Sequence, residues 1–242
     1  MAKELKTKEA KSTLEKISVA ESGSPHDLLG CGPRIKRLTT WEPERWECER
    51  DPAAAGLPLL SREAMRFPAW KDLGKPSLAA ACYAAKDMAR GNLSRGNFLV
   101  LAGPTGVGKT HLALAIAWEW FEDGFNVLFT RVDDMLDWLR QGYDDNTYHK
   151  RLDSIRRRHL LVLDDLGTEQ TKDWAGEKMD RIIDWRYLDR SPLVVTTNAK
   201  SEDLAPRVAS RLGDTSCSIV VPIDAEDFRT GGHDEEPSAQ DS

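Results

Sequence analysis

Five short apolar runs recur along the chain: Phe98–Ala102, Asn126–Thr130, Leu160–Leu163, Leu193–Thr197 and Cys217–Val221. Their apolar residues are consecutive rather than alternating, as in strands buried on both faces. Segments of helical period separate them. His111–Phe121 is apolar nearly all round and predicts a buried helix. Tyr148, Leu152 and Ile155 form one apolar stripe before the third run, and Met179, Ile182 and Ile183 mark another after it. A further helix is expected from Ser77, as its N-cap, to Arg90, with Gly91 as its stop. Strands alternating with helices predict an α/β fold: a five-stranded parallel sheet with helices on both faces.

The flanks read differently. Residues 1–20 alternate lysines with glutamates and offer little to bury, so a solvated helical arm is expected. Residues 21–60 carry Gly, Ser and Pro around Trp41 and Trp46, the pattern of an irregular linker with aromatic anchors. The last residues hold Asp234, Glu235, Glu236 and Asp241 and predict a disordered acidic tail. The division is therefore 1–65 as arm, linker and partner-binding region, 66–229 as the core, and 230–242 as tail.

The 242 residues suit one α/β domain with appendages, and the net charge of −6 excludes a protein that coats nucleic acid with its whole surface. Any such contact must come from a local basic patch. No apolar leader or membrane-length run is visible, and Cys31, Cys48, Cys82 and Cys217 form no C-x-x-C pair. A cytoplasmic protein with free thiols, away from any membrane, is expected.

Candidate chemistry begins at Gly103-Pro104-Thr105-Gly106-Val107-Gly108-Lys109-Thr110, a full match to G-x-x-x-x-G-K-[ST]. Such a loop turns its N–H groups around a phosphate, and the following helix adds its positive end. Lys109 would reach the β- and γ-phosphates, and the Thr110 hydroxyl would ligate Mg²⁺, so ATP or GTP with Mg²⁺ is the implied ligand. The third run ends in Asp164-Asp165. Asp164 is placed to hold the metal and Asp165 to polarise the attacking water. The fourth run is followed by Asn198, a polar amide expected at a buried strand edge, which suits a sensor orienting that water. In Pro206–Gly213, Pro206 suits the first turn of a short helix and Gly213 its stop, with Val208 and Leu212 facing the core. Arg207 and Arg211 share the neighbouring face, and Arg211 could serve as an arginine finger for a neighbouring subunit.

These four motifs, in this order, resemble the AAA+ family of P-loop NTPases, and within it the DnaC helicase loaders and the IstB transposition helpers. The finer likeness lies in Lys109-Thr-His111-Leu-Ala-Leu-Ala-Ile-Ala117, in Leu163-Asp-Asp-Leu-Gly167-Thr-Glu169 with Trp174 and Ile183-Asp-Trp-Arg186-Tyr187, in Ser210-Arg211-Leu212, and in Asp227-Phe228-Arg229. It runs from about residue 66 to 229 and does not separate the two branches. The resemblance implies an ATPase core with the C-terminal helical lid missing.

Three functions are carried forward. The first is an ATP-hydrolysing loader of a hexameric, DnaB-like replicative helicase, able to form an ATP-dependent homo-oligomer. The second is an IstB-like ATPase helper of a transposase. The third is a nucleotide-gated binding module with little turnover, kept open by Asp165 standing where many AAA+ proteins have Glu. The run Lys150, Arg151, Arg156, Arg157 and Arg158, with Tyr143 and Tyr148 nearby, resembles the loaders' insertion that touches single-stranded DNA. It reads equally well as a solvated face with Tyr148 in the core.

Overall fold

In the computed structural model the described residues are 51–59, 62–92, 96–167 and 174–229. The expected arm, the region around Trp41 and Trp46, Cys31 and Cys48, and the acidic tail lie outside them.

Five strands form one parallel sheet: β1 (Phe98–Ala102), β2 (Val127–Arg131), β3 (Leu160–Leu166), β4 (Leu193–Thr197) and β5 (Ser218–Pro222), in the order β2-β3-β4-β1-β5. Among the described residues six α-helices accompany them: α1 (Pro76–Ala89), α2 (Lys109–Glu122), α3 (Val132–Asp144), α4 (Tyr148–Arg156), α5 (Trp174–Leu188) and α6 (Pro206–Leu212). The pleat sends successive side chains to opposite faces. Leu99 and Leu101 of β1, Leu160 and Val162 of β3 and Val194 of β4 join one core with α1 and α2. Phe98, Val100, Leu161, Leu163, Leu193 and Val195 join the other core with α3 to α6. This double burial is why the strands read as consecutive apolar runs.

The sheet and its helices stand where the apolar pattern puts them, with shifts of detail. β2 and β5 each begin one residue later than expected, and β3 continues through Asp164 and Asp165 to Leu166. Ser77 is not a cap. Lys75 holds the cap position of α1 with no side-chain hydrogen bond, and Ser77 Oγ donates to Asp224 O at 2.8 Å. Pro76 at the first helical position is the actual start signal, because its missing N–H costs nothing there. Upstream of α1, Ala55 and Leu57 are buried, and Phe129 N of β2 donates to Ala55 O at 2.9 Å. No described helix is long and apolar enough to cross a membrane.

Candidate nucleotide and metal site

In a parallel sheet, ligands gather at the carboxyl ends of the strands. The predicted residues meet there. Gly103 N donates to Thr197 O at 3.1 Å, which brings the loop after β1 against the end of β4. The loop then turns through Gly106 (φ 80°) and Gly108 (φ 89°), left-handed positions that suit glycine. No described side chain caps the start of α2, so its first N–H groups are left for an anion. Lys109 is only 8% exposed, and its ammonium donates to Gly103 O (2.9 Å) and Pro104 O (2.6 Å) across the loop. Burial lowers its pKa, while Asp165 and Asp164 push the other way.

Thr110 Oγ1 donates to Asp164, 3.0 Å from Oδ1 and 3.2 Å from Oδ2. Two oxygens bound side by side to an octahedral Mg²⁺, each at about 2.1 Å, stand about 3 Å apart. The Thr110–Asp164 pair therefore fits that ion, as hard oxygen donors of the right spacing. Asp164 is buried and also accepts from Thr196 Oγ1 at 2.7 Å. The same hydroxyl accepts from Asp165 N at 2.8 Å.

Asp165 has φ 64°, a left-handed conformation at a non-glycine residue. Pairing between β3 and β4 is irregular from Leu163 to Leu166, so the two carboxylates sit on a bulge. A bulge re-aims a side chain, and strain of this kind gathers at functional positions. The Asp165 carboxylate, 34% exposed, meets Arg131 at 3.5 Å. Asn198 follows the last residue of β4 and is exposed, not at a buried edge as its place in the sequence suggested.

Arg211 lies on α6, which starts at Pro206 and ends at Gly213 as expected. Its Nε donates to Asp184 Oδ1 at 3.0 Å, and its guanidinium stacks 4.3 Å over the Tyr187 ring. Arg207 is exposed and lines the same groove as Asp180, Ile183, Asp184 and Arg211.

The basic run has intramolecular partners. Arg151 binds Asp145, Thr147 and the Trp138 carbonyl, and Arg158 donates to Asn126 Oδ1 (2.6 Å) and Val127 O (3.3 Å). Arg156 stacks 5.0 Å over Trp185 and approaches Asp189 at 3.6 Å, and Arg157 pairs with Asp153 at 2.6 Å. Lys150 is exposed, and Tyr148 is buried with its ring stacked 4.3 Å from that of Tyr143.

Four site neighbours escaped the sequence reading: Thr196, Arg131, Trp70 and Arg229. A Cβ on Gly108 would lie 2.6 Å from the Trp70 ring, so that ring closes over the loop. Trp70 also meets His111 edge-on at 5.3 Å. Only Arg229 carried a signal, through the Asp227-Phe228-Arg229 wording. Thr196 lies in the fourth run, where the motif points to Asn198 alone, and Arg131 and Trp70 come from segments with no motif of their own.

The sheet order, the phosphate loop and the paired carboxylates together define a P-loop ATP-binding protein of AAA+ type. The family model of the IstB-like ATP-binding proteins matches residues 89–214, just over half of the chain, and the chain belongs to that family. It is 28% identical over 176 residues to an ATP-binding protein of insertion sequence IS1162 from Pseudomonas fluorescens, covering 66% of this chain and 76% of that one. It is 26% identical over 136 residues to the replicative helicase loader DnaI of Bacillus subtilis, covering 55% of this chain and 44% of that one. Among solved structures, the DnaC helicase loader superposes with a TM-score of 0.59 at 26% identity, covering 67% of this chain and 98% of that one. The chain thus spans less than half of DnaI, and about two fifths of several other insertion-sequence relatives.

Proposed function

We propose that this chain is a cytoplasmic Mg²⁺-dependent ATPase that uses the nucleotide cycle to install a DNA-processing partner on DNA. The observation that carries the ATPase reading is the triangle of Thr110, Asp164 and Thr196 beside a strained Asp165. Thr110 and Asp164 would hold Mg²⁺, which would neutralise charge on the phosphates. Lys109 binds the β- and γ-phosphates. Asp165, re-aimed by the bulge, accepts a proton from the attacking water, and Asn198 orients that water from the end of β4. Arg211 completes the site of a neighbouring copy in an ATP-dependent homo-oligomer.

For the partner, two readings have support. The family and the IS1162 relative favour an IstB-like helper of a transposase. The fit to nearly the whole of the solved DnaC chain, and the DnaI relative, favour loading of a DnaB-like replicative helicase. Single-stranded DNA is the nucleic-acid partner in either case, with residues 1–65 contacting the protein partner.

The test is steady-state ATP hydrolysis with parallel binding measurements. Lys109→Ala is expected to lose ATP affinity. Asp165→Asn is expected to keep ATP and Mg²⁺ but to hydrolyse at least about a hundredfold more slowly, the scale of a positioned general base. Hydrolysis at the parental rate in Asp165→Asn removes Asp165 from catalysis. A parent that binds ATP yet never turns over, even with DNA and partner, favours a nucleotide-gated module. Capture by the tagged full-length chain with ATP, followed by mass spectrometry, decides between transposase and helicase.

A further inference from the structure

Arg211 is held at several points, although 33% of its side chain stays exposed. Its carbonyl, near the end of α6, accepts from Ser218 Oγ of β5 at 3.2 Å. Its Nε donates to Asp184 Oδ1 at 3.0 Å, and its guanidinium lies on the Tyr187 ring at 4.3 Å. Asp184 and Tyr187 stand three apart on α5, so one face of that helix supplies both contacts. The ring is tied down in turn, because the Tyr187 hydroxyl donates to Asp214 Oδ2 just past α6. Beneath them the buried Val208 and Leu212 fasten α6 to the core it shares with α5. Among the described residues, no hydrogen bond or ion pair engages the two terminal nitrogens of Arg211, the fork that matches phosphate oxygens. Arg207, one turn earlier on α6, is exposed and its side chain has no ion pair with the described residues. A solvated arginine resembles Arg207. Arg211 has instead been given a fixed pose with its fork unspent, and a side chain ordered before contact costs less to use.

We propose that Asp184 is a positioning residue for Arg211, holding it on the Tyr187 ring with its two terminal nitrogens ready for the phosphates of a nucleotide bound to a neighbouring copy. The proposal rests on the reading of Arg211 as a residue that completes a neighbour's site. The bland alternative is an ion pair that merely packs α6 on α5. The two differ in which subunit's turnover responds when Asp184 is changed.

The experiment measures ATP turnover, ATP affinity, nucleotide-free melting temperature and assembly by sedimentation velocity, on the full chain, for the parent, Asp184→Ala, Asp184→Asn and Arg211→Ala. Asp184→Ala is expected to assemble and to bind ATP as the parent does, with KM unchanged, and to lose about tenfold to a hundredfold in kcat, the scale of a misplaced group remote from the chemistry. Asp184→Asn should recover most of that loss, because its amide oxygen still accepts from Nε. The defect should also belong to the subunit that donates Arg211. Excess Asp165→Asn subunits, with Asp184 intact and slow hydrolysis of their own, should therefore raise turnover per Asp184→Ala subunit towards the parental value. Parental kcat in Asp184→Ala, with Arg211→Ala inactive, overturns the proposal. So does a loss that Asp184→Asn fails to rescue and that weaker assembly or a lowered melting temperature accompanies, which makes the pair a packing contact. Turnover per Asp184→Ala subunit that stays low among Asp165→Asn neighbours overturns it as well, since the effect then lies in the subunit's own site. Parental turnover in Arg211→Ala, or no assembly-dependent turnover in the parent, overturns the neighbour-completion reading itself and the proposal with it.

Discussion

At the scale of single residues, one hydroxyl organises the carboxylates. Thr196 donates to Asp164 and accepts from Asp165 N, so it fixes the side chain of one and the backbone of the other. Thr196→Val keeps the volume and removes both bonds, leaving a buried carboxylate and a part-buried N–H short of a partner. A cost of about 1–3 kcal/mol in unfolding free energy is expected, measured by denaturant titration. Weaker Mg²⁺ dependence of ATP binding should accompany it, because Asp164 loses the contact that aims it at Thr110. A variant with parental stability and parental Mg²⁺ dependence removes Thr196 from the site. The same residue shows where sequence reading stops. The glycines, Lys109, Thr110 and the two aspartates stand in contiguous motifs whose chemistry requires that spacing. Thr196 stands beside Thr197 at the end of an otherwise apolar run, and only the register of β4 on β3 reveals what it faces. Arg131 and Trp70 are hidden for the same reason.

At the scale of elements, the strands were legible because both faces are buried, and the helices because their stripes are one-sided. Ends were less so. Ser77 has the chemistry of a cap, yet the chain enters α1 through Pro76, and the hydroxyl is used to hold the segment after β5. The packing of α6 against α5 illustrates a link that composition does not contain. Tyr187 of α5 donates to Asp214 just past α6 and carries the Arg211 guanidinium on its ring. Chiefly through that Tyr187 bond, helped by Ser216, Asp214 has its pKa pulled down to about 2. A carboxylate with a depressed folded pKa stabilises above its unfolded value, about 3.9, and the contribution is lost as pH falls towards 2. The Tyr187 hydroxyl is pushed upward by the same bond, so its contribution is complete below pH 10 and disappears only above. Tyr187→Phe is therefore expected to lower stability most in the neutral range, where the contribution is complete, and progressively less as pH falls towards 2, so that the acid limb of stability against pH becomes shallower, as followed by circular dichroism in denaturant titrations at several pH values. An acid limb of unchanged slope means that Ser216 alone holds Asp214. Arg211→Ala probes the neighbouring contact. Its half-buried, solvent-screened pair with Asp184 is worth about 1 kcal/mol or less. A small loss of stability with complete loss of assembly-dependent ATPase is the expected result, and unchanged ATPase in the assembled state confines Arg211 to its cis role.

At the scale of the whole molecule, a chain of net charge −6 that contacts DNA as proposed would do so through a local patch, and the structure narrows which arginines can take part. Arg151 and Arg158 spend their guanidinium groups on neighbouring loops and strands, whereas the ion pairs of Arg156 and Arg157 are with exposed carboxylates that a phosphate can displace, Arg156 keeping its stack on Trp185. Each phosphate contact on a single strand contributes about −0.7 to the slope of log affinity against log salt, so two arginines contribute at most about −1.4. Replacing Arg156 and Arg157 by Ala should flatten the slope by up to that amount, read by anisotropy of a labelled oligonucleotide with and without ATP. Arg158→Ala should instead lower the melting temperature and leave the slope unchanged, because its loss strands Asn126 and the Val127 carbonyl. ATP should strengthen binding in the parent if neighbouring copies complete the patch, and that gain should vanish in Arg211→Ala, which cannot close the interface. An unchanged slope in the double variant places α4 among the solvated faces and moves the DNA contact to the lysines of residues 1–20, which a second salt series on lysine-to-glutamine variants of that arm would then resolve.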